Sequence, residues 1–229
     1  LGGYLKKIWV FYKGIMKNAF LTVVTNRYLK DQLSSDGIRS FVLEDKLPEF
    51  PLGKKPKLRT GFNIVVINTF SEDEPVEEVL EAAGHLPTAN FYITGSLSYA
   101  NSEFIRDKPE NVLYTDFLPE EEYVGLLRAS ECIMVLTTED HTMLSGAYEA
   151  VSVKKPLITS NWPALKDYFS KGTVYVNNKS ADIMKAVKYS MENHKRMEKD
   201  IEELEKNIRE EWEKKFRKLI NMIRNLEEK

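Results

Sequence analysis

The sequence has 229 residues and a mass of 26.5 kDa, with 42% apolar and 30% charged residues and a formal net charge of -2. That apolar content excludes a disordered charged tail, the single cysteine, Cys132, excludes a disulfide scaffold, and no apolar run is long enough to span a bilayer. A pI of about 6.1 also argues against a strongly basic nucleic-acid binder, and the length fits one large domain with a piece of a second.

Charge is unevenly distributed. Residues 1–60 carry twelve Lys/Arg and five Asp/Glu, a surplus of +7, so the rest sums to -9. Such asymmetry predicts two units of different origin. Residue 1 is Leu rather than Met, which raises the expectation that the sequence is part of a longer protein.

In chain order, Leu5, Ile8, Trp9, Tyr12, Ile15, Met16 and Ala19 recur at helical spacing with Lys6, Lys7, Lys13 and Lys17 between them. This predicts a basic amphipathic helix over 4–19, suited either to docking on a domain or to touching an anionic membrane surface. FLTVVT (20–25) and SFVL (40–43) read as strands flanking a helix over 27–35 that Asn26 caps and that ends near Gly37. One such βαβ unit is too small for an independent parallel-sheet domain. Pro48, Pro51, Gly53 and Pro56 then predict an extended linker, with a boundary near residue 60.

From 61 to 195 the pattern is regular. Strands are predicted at NIVVI (63–67), NFYIT (90–94), NVLYT (111–115), CIMVLT (132–137), PLIT (156–159) and TVYV (173–176). Helices are predicted at 74–84, 119–129, 144–152, 163–169 and 179–193. Continuous apolar strands alternating with helices imply an α/β fold, a Rossmann-like doubly wound parallel sheet covered on both faces. Residues 196–229 form a separate amphipathic segment, one helix or two in series, in which charged residues of both signs surround Met197, Ile201, Leu204, Ile208, Trp212 and Phe216.

In such sheets ligands sit beyond the carboxyl ends of the strands. The loop over 137–149 follows the strongest strand and opens a helix, whose free N–H groups form an anion site. Thr142, Leu144, Ser145 and Gly146 would present amides, and His141 and Asp140 stand at the mouth. Glu149 lies far enough into the helix to accept from vicinal hydroxyls. The simpler alternative is that Asp140 or Thr142 only caps the helix. Cys132 is expected in the core, His85 at a helix end, and His194 in solvent. No Cys/His spacing suggests a metal site, and no phosphate-binding lysine loop is present.

The stretch from Asn111 to Phe169 resembles the donor-binding half of group 1 (family 4) GT-B glycosyltransferases. The resemblance is carried by Glu149-Ala150, Lys155-Pro156 and LITS (157–160), with YITG (92–95) and TDFLP (115–119) before them. It covers roughly 61–195 and more faintly 20–50, which looks like the end of an acceptor domain. It implies a retaining transfer of sugar from a nucleotide-diphosphate sugar to an acceptor sugar or lipid-linked glycan, without a cofactor or metal and without nucleic acid. The expected location is cytoplasmic, with peripheral membrane contact as an option. Position by position, Glu149 would bind the ribose, the amides of Leu144 and Ser145 the diphosphate, and Phe117 and Leu118 the base. His141 and Glu149 are the implied catalytic pair. Gly95, Asp140, Thr142, Met143 and Gly146 complete the expected donor contacts.

Two departures stand out. His141 replaces the family's first glutamate. The stretch INTFSEDEPVEEV (67–79) lacks the Arg and Lys that neutralise a diphosphate and carries Glu72, Asp73, Glu74, Glu77 and Glu78 instead. Ser71 and Glu74 fit a capping box for the following helix. A non-catalytic Rossmann-like module binding a ligand or partner is the competing expectation.

Overall fold

The computed structural model describes residues 11–227, so residues 4–10 of the predicted first helix lie outside it. The described chain divides into two compact units.

The larger unit spans Leu47–Ile208. Its six strands are β3 (Phe62–Val66), β4 (Ala89–Thr94), β5 (Val112–Asp116), β6 (Cys132–Val135), β7 (Leu157–Ser160) and β8 (Thr173–Val176). They pair in parallel in the order β5-β4-β3-β6-β7-β8. The doubly wound sheet expected from the rhythm of apolar runs is therefore present. Successive strand residues face opposite sides, and the two cores follow that alternation. Ile64, Val66, Phe91, Ile93, Cys132 and Met134 enter one, while Val65, Tyr92, Ile133 and Val135 enter the other. The first core is closed by α3 (Val76–Gly84) and by Ile183, Ala186 and Val187 from the start of α8 (Ser180–Glu227). The second is closed by α5 (Glu120–Ala129), α6 (Ser145–Ser152) and α7 (Pro163–Tyr168), with Ile201, Leu204 and Ile208 of α8. Each fully buried large side chain contributes about 1.5–3 kcal/mol.

The proline-rich stretch after residue 46 has no regular structure, yet it is strapped to this unit. Leu47 is buried in the second core, the Lys54 amide donates to the Glu121 carbonyl at 2.8 Å, and the Arg128 guanidinium donates to the carbonyls of Phe50 and Pro51.

The smaller unit comprises the described part of Leu1–Lys46 with Arg209–Lys229. It holds α1 (residues 11–18), β1 (Thr22–Val24), α2 (Arg27–Ser35), β2 (Ser40–Val42) and the end of α8. The strands β1 and β2 pair in parallel. Asn26 caps α2 as predicted, its side chain accepting from the Leu29 amide at 3.0 Å. The Trp212 indole donates to the Glu44 carbonyl at 2.9 Å and stacks on Phe216, and Lys215 pairs with Glu44.

Four local expectations are corrected. The segments expected over 179–193 and 196–229 form one 48-residue helix, α8, with no break between them. A 3-10 turn (Leu97–Tyr99) and a short helix, α4 (Ser102–Arg106), occupy a stretch left without structure. His194 is half-buried and edge-on to Phe62, not solvated. The Ser71–Glu74 pair does not cap α3, which begins at Val76 with Pro75 as its N-cap and no side-chain cap bond. The Glu74 carboxylate instead accepts from the amides of Thr69 and Ser71 at 2.9 Å each. Pro75 delays the helix, so the glutamate staples the preceding loop. Glu77 and Glu78 do occupy the first turn of α3, where acids favour the positive end of the helix dipole.

Candidate functional site

Strand order reverses between β3 and β6, and the loops leaving neighbouring strands diverge there. A cavity of about 760 Å³ opens at this point, a size that suits a small-molecule ligand. Ile67, Asn68 and Thr69 line it from the end of β3, Gly95, Ser96 and Tyr99 from β4, and Asp116, Phe117 and Leu118 from β5. Val135 comes from β6, Leu144, Ser145, Gly146 and Glu149 from the start of α6, and Tyr123 from α5.

The start of α6 supplies fixed polarity. Its N-cap is Leu144, with extended backbone and no side-chain cap bond. Neither Asp140 nor Thr142 caps it. The Asp140 carboxylate accepts from the His141 amide at 2.6 Å, and the Thr142 hydroxyl reaches only the Asp140 carbonyl, at 3.5 Å. The first-turn amides of Ser145 and Gly146 thus keep their donors for a ligand at the positive end of the helix dipole. Gly146 also sets how closely α6 approaches β3, because a Cβ there would lie 2.9 Å from Ile67 Cγ2. Gly95 has φ +105, and a Cβ would meet the Asn68 carbonyl oxygen at 2.3 Å. Only glycine fits between those two loops.

Glu149 projects from the second turn of α6 and accepts a hydrogen bond from the Tyr123 hydroxyl. Burial raises the carboxyl above its ordinary value, and the Tyr123 bond partly opposes the rise. Burial, then the Glu149 charge, pushes the Tyr123 hydroxyl well above its usual range. At the other side, Asp116 adopts a left-handed backbone, φ 56. Its carboxylate accepts from the amides of Leu97 at 3.0 Å and Phe117 at 2.8 Å, which hold it below the usual carboxylate range.

The lining is electrostatically one-sided. It carries Glu74, Asp116, Glu120 and Glu149, and no Lys or Arg among the described residues. Asp73 is engaged elsewhere, accepting from the Thr137 hydroxyl at 2.6 Å.

Of the residues singled out in the sequence, Gly95, Phe117, Leu118, Leu144, Ser145, Gly146 and Glu149 converge on this cavity. Asp140, His141, Thr142 and Met143 do not line it. His141 has φ 61 and an exposed ring 3.4 Å from the Asp140 carboxylate, whereas Met143 packs against the second core. Tyr99, Tyr123 and Asp116 were not anticipated. A tyrosine one turn into the acidic helix 119–129 is the only sequence signal that pointed toward Tyr123. Among the described residues, no group of three or more His, Cys, Asp or Glu is placed to hold a metal ion.

Residues 72–218 match a family model described as glycosyl transferase-like. No curated protein matches this sequence. Among solved structures, the chain is similar to sucrose-phosphate synthase from Thermosynechococcus elongatus, at 14% identity and a TM-score of 0.74, covering 95% of this chain and 61% of that one. It is also similar to TarM from S. aureus in a complex that includes UDP, at 18% identity and a TM-score of 0.70, covering 92% and 45%. A third is HepE from Anabaena in complex with UDP and glucose, at 9% identity and a TM-score of 0.70, covering 90% and 63%. The chain therefore spans about three fifths of the synthase and less than half of TarM. At these identities the likeness is one of fold, the Rossmann-like half of a GT-B architecture.

Proposed function

The chain belongs to the glycosyl transferase-like family, and from that membership we propose that it forms the donor-binding part of a glycosyltransferase. The reaction moves a sugar, with retention of configuration, from a nucleotide-diphosphate sugar to a hydroxyl of an acceptor sugar or lipid-linked glycan. The observation that carries this reading is the cavity at the switch point, where uncapped α6 amides and Glu149 face one ligand space. In this reading the amides of Leu144 and Ser145, joined by that of Gly146, hold the diphosphate and stabilise it as it departs, Glu149 accepts from the ribose, and Phe117 and Leu118 border the base. The placement of His141 supports a role only with donor-sugar groups that extend beyond the cavity wall.

Calorimetric titration with UDP-, GDP- and ADP-sugars tests the reading. Micromolar binding of one of them, lost in Glu149→Ala, is expected. No binding of any would sink it. The acid-lined, cation-free cavity favours a second reading, a non-catalytic module that binds a ligand other than a diphosphate. That reading predicts that no nucleotide binds at all.

No helix among the described residues is long and apolar enough to cross a membrane. A cytoplasmic location with peripheral membrane contact belongs to the same proposal. The membrane contact is supported by exposed Phe11, Tyr12 and Ile15 with exposed Lys17 in α1. Failure to co-sediment with anionic vesicles would remove the membrane contact.

A further inference from the structure

We infer that Tyr99 is a base-stacking residue of this cavity, and that Asp116 is the residue that positions it. The inference rests on the nucleotide reading of the cavity. Tyr99 is 74% exposed and Phe117 82% exposed, yet both line the same cavity. They leave adjacent parallel strands, β4 and β5. One carboxylate oxygen of Asp116 accepts from the amide at the start of the Tyr99 turn, Leu97, and from the Phe117 amide. Asp116 itself has a left-handed backbone, φ 56. The Tyr99 amide donates to the Ser96 carbonyl at 3.1 Å, and the Ser96 and Ser98 hydroxyls bond at 2.8 Å, which tightens the turn further.

Sheet order gives the direction of the ligand. The two aromatic turns leave β4 and β5, and the free amides of α6 follow β6, with β3 between them. Strands lie about 4.8 Å apart, so the aromatics and the amides are separated by roughly 10–14 Å along the sheet edge. A ligand with a planar ring at one end and phosphates at the other spans that gap. On its far side Tyr99 also lines a neighbouring cavity of about 360 Å³ whose wall carries Glu72, Glu74, Glu77 and Glu78. Those carboxylates repel phosphate, which leaves the ring end for Tyr99.

The test titrates UDP, GDP and ADP into the whole chain and into single variants, and records the ultraviolet difference spectrum of the bound base. Tyr99→Ala and Tyr99→Leu should weaken the best nucleotide roughly 5- to 100-fold and abolish the stacking-induced loss of base absorbance. Tyr99→Phe should keep both within twofold. Asp116→Ala should match Tyr99→Ala, and the double variant should be no weaker than either alone, because both act through one ring. Unchanged affinity and spectrum in Tyr99→Ala, with the wild type binding, overturns this inference alone. A wild type that binds none of the three overturns it together with the reading on which it rests.

Discussion

Three helical glycines offer a graded test of how closely this chain packs its helices. Replacing each by Ala gains the same intrinsic helix preference, about 0.5–1 kcal/mol. The surroundings then decide the sign. At Gly14, in α1, a Cβ meets nothing within 4 Å, so the gain should appear undiminished. At Gly146 the Cβ would lie 2.9 Å from Ile67 Cγ2, against a comfortable carbon contact of about 3.5–4.0 Å. Ile67 must swing, and the side it can swing toward is the cavity it lines. Overpacking of this kind costs about 1–3 kcal/mol, which leaves a net loss of about 1 kcal/mol. At Gly125 the Cβ would fall 1.7 Å from the Lys54 carbonyl oxygen, so backbone must move and the Lys54–Glu121 hydrogen bond breaks. Adding about 1 kcal/mol for that bond gives a net loss of about 2–3 kcal/mol. At roughly 2–4 °C per kcal/mol for a chain of this size, Gly125→Ala should lower Tm by about 4–12 °C and Gly146→Ala by about 2–4 °C. Gly14→Ala should increase helicity or Tm slightly. Thermal unfolding followed by circular dichroism reads all three. Equal stabilisation at the three positions would refute the reasoning, since propensity alone would then explain the data. Gly146→Ala should also weaken nucleotide binding about tenfold by displacing α6 amides.

Glu149→Gln should raise Tm at pH 7 and lose that advantage near pH 4. Burial raises the carboxyl, so the folded chain holds its proton more tightly than the unfolded chain, and the stability this gives fades as pH rises through the raised value. The same variant should bind nucleotide about tenfold more weakly, through loss of a charge-assisted acceptor. A Tm advantage that is independent of pH would show that the carboxyl is not shifted. Cys132 is fully buried and its thiol is pushed up to about 12 by burial, so iodoacetamide at pH 8 should label it only in denaturant; rapid native labelling would contradict the packing of β6. Trp212→Ala removes a stacked ring and the bond to Glu44. Trp212 is half-buried, so the change should cost somewhat less than the about 3–5 kcal/mol of a core Trp→Ala and raise hydrogen exchange in β1 and β2 before β3 and β4; uniform exchange would refute a local effect.

The strands were legible in the sequence because parallel strands covered on both faces form continuous apolar runs, as in Cys132–Val135; Leu157–Ser160 is equally buried, with Thr159 and Ser160 as its polar end. The helix starts at Asn26 and Pro163 were legible for a local reason, a capping side chain and a pre-set φ. The continuity of α8 was not, because polar Ser190 and His194 interrupt the apolar stripe between Val187 and Met197, although Ser190 is buried and His194 half-buried there. Within the site, Ser145, Gly146 and Glu149 followed from the strand-loop-helix pattern. Tyr99 and Asp116 did not, since the turn that carries Tyr99 is tied by the Asp116 carboxylate, which accepts from an amide 19 residues away on the neighbouring strand's loop. The Glu74 staple was misread as a cap because the reach-back of the carboxylate is the same in both, and only Pro75 separates them.

The groups offered to an anion at the start of α6 are peptide N–H groups rather than side chains. Every residue except proline supplies one, so most exchanges of side chain along this turn leave the donors in place; Gly146, pressed against Ile67, is the exception, because a larger residue there shifts the backbone that carries them. A donor set of that kind follows the path of the backbone and constrains few letters of the sequence. The likeness of this chain to solved structures at 9–18% identity is a likeness of fold, the level at which such a backbone path is set.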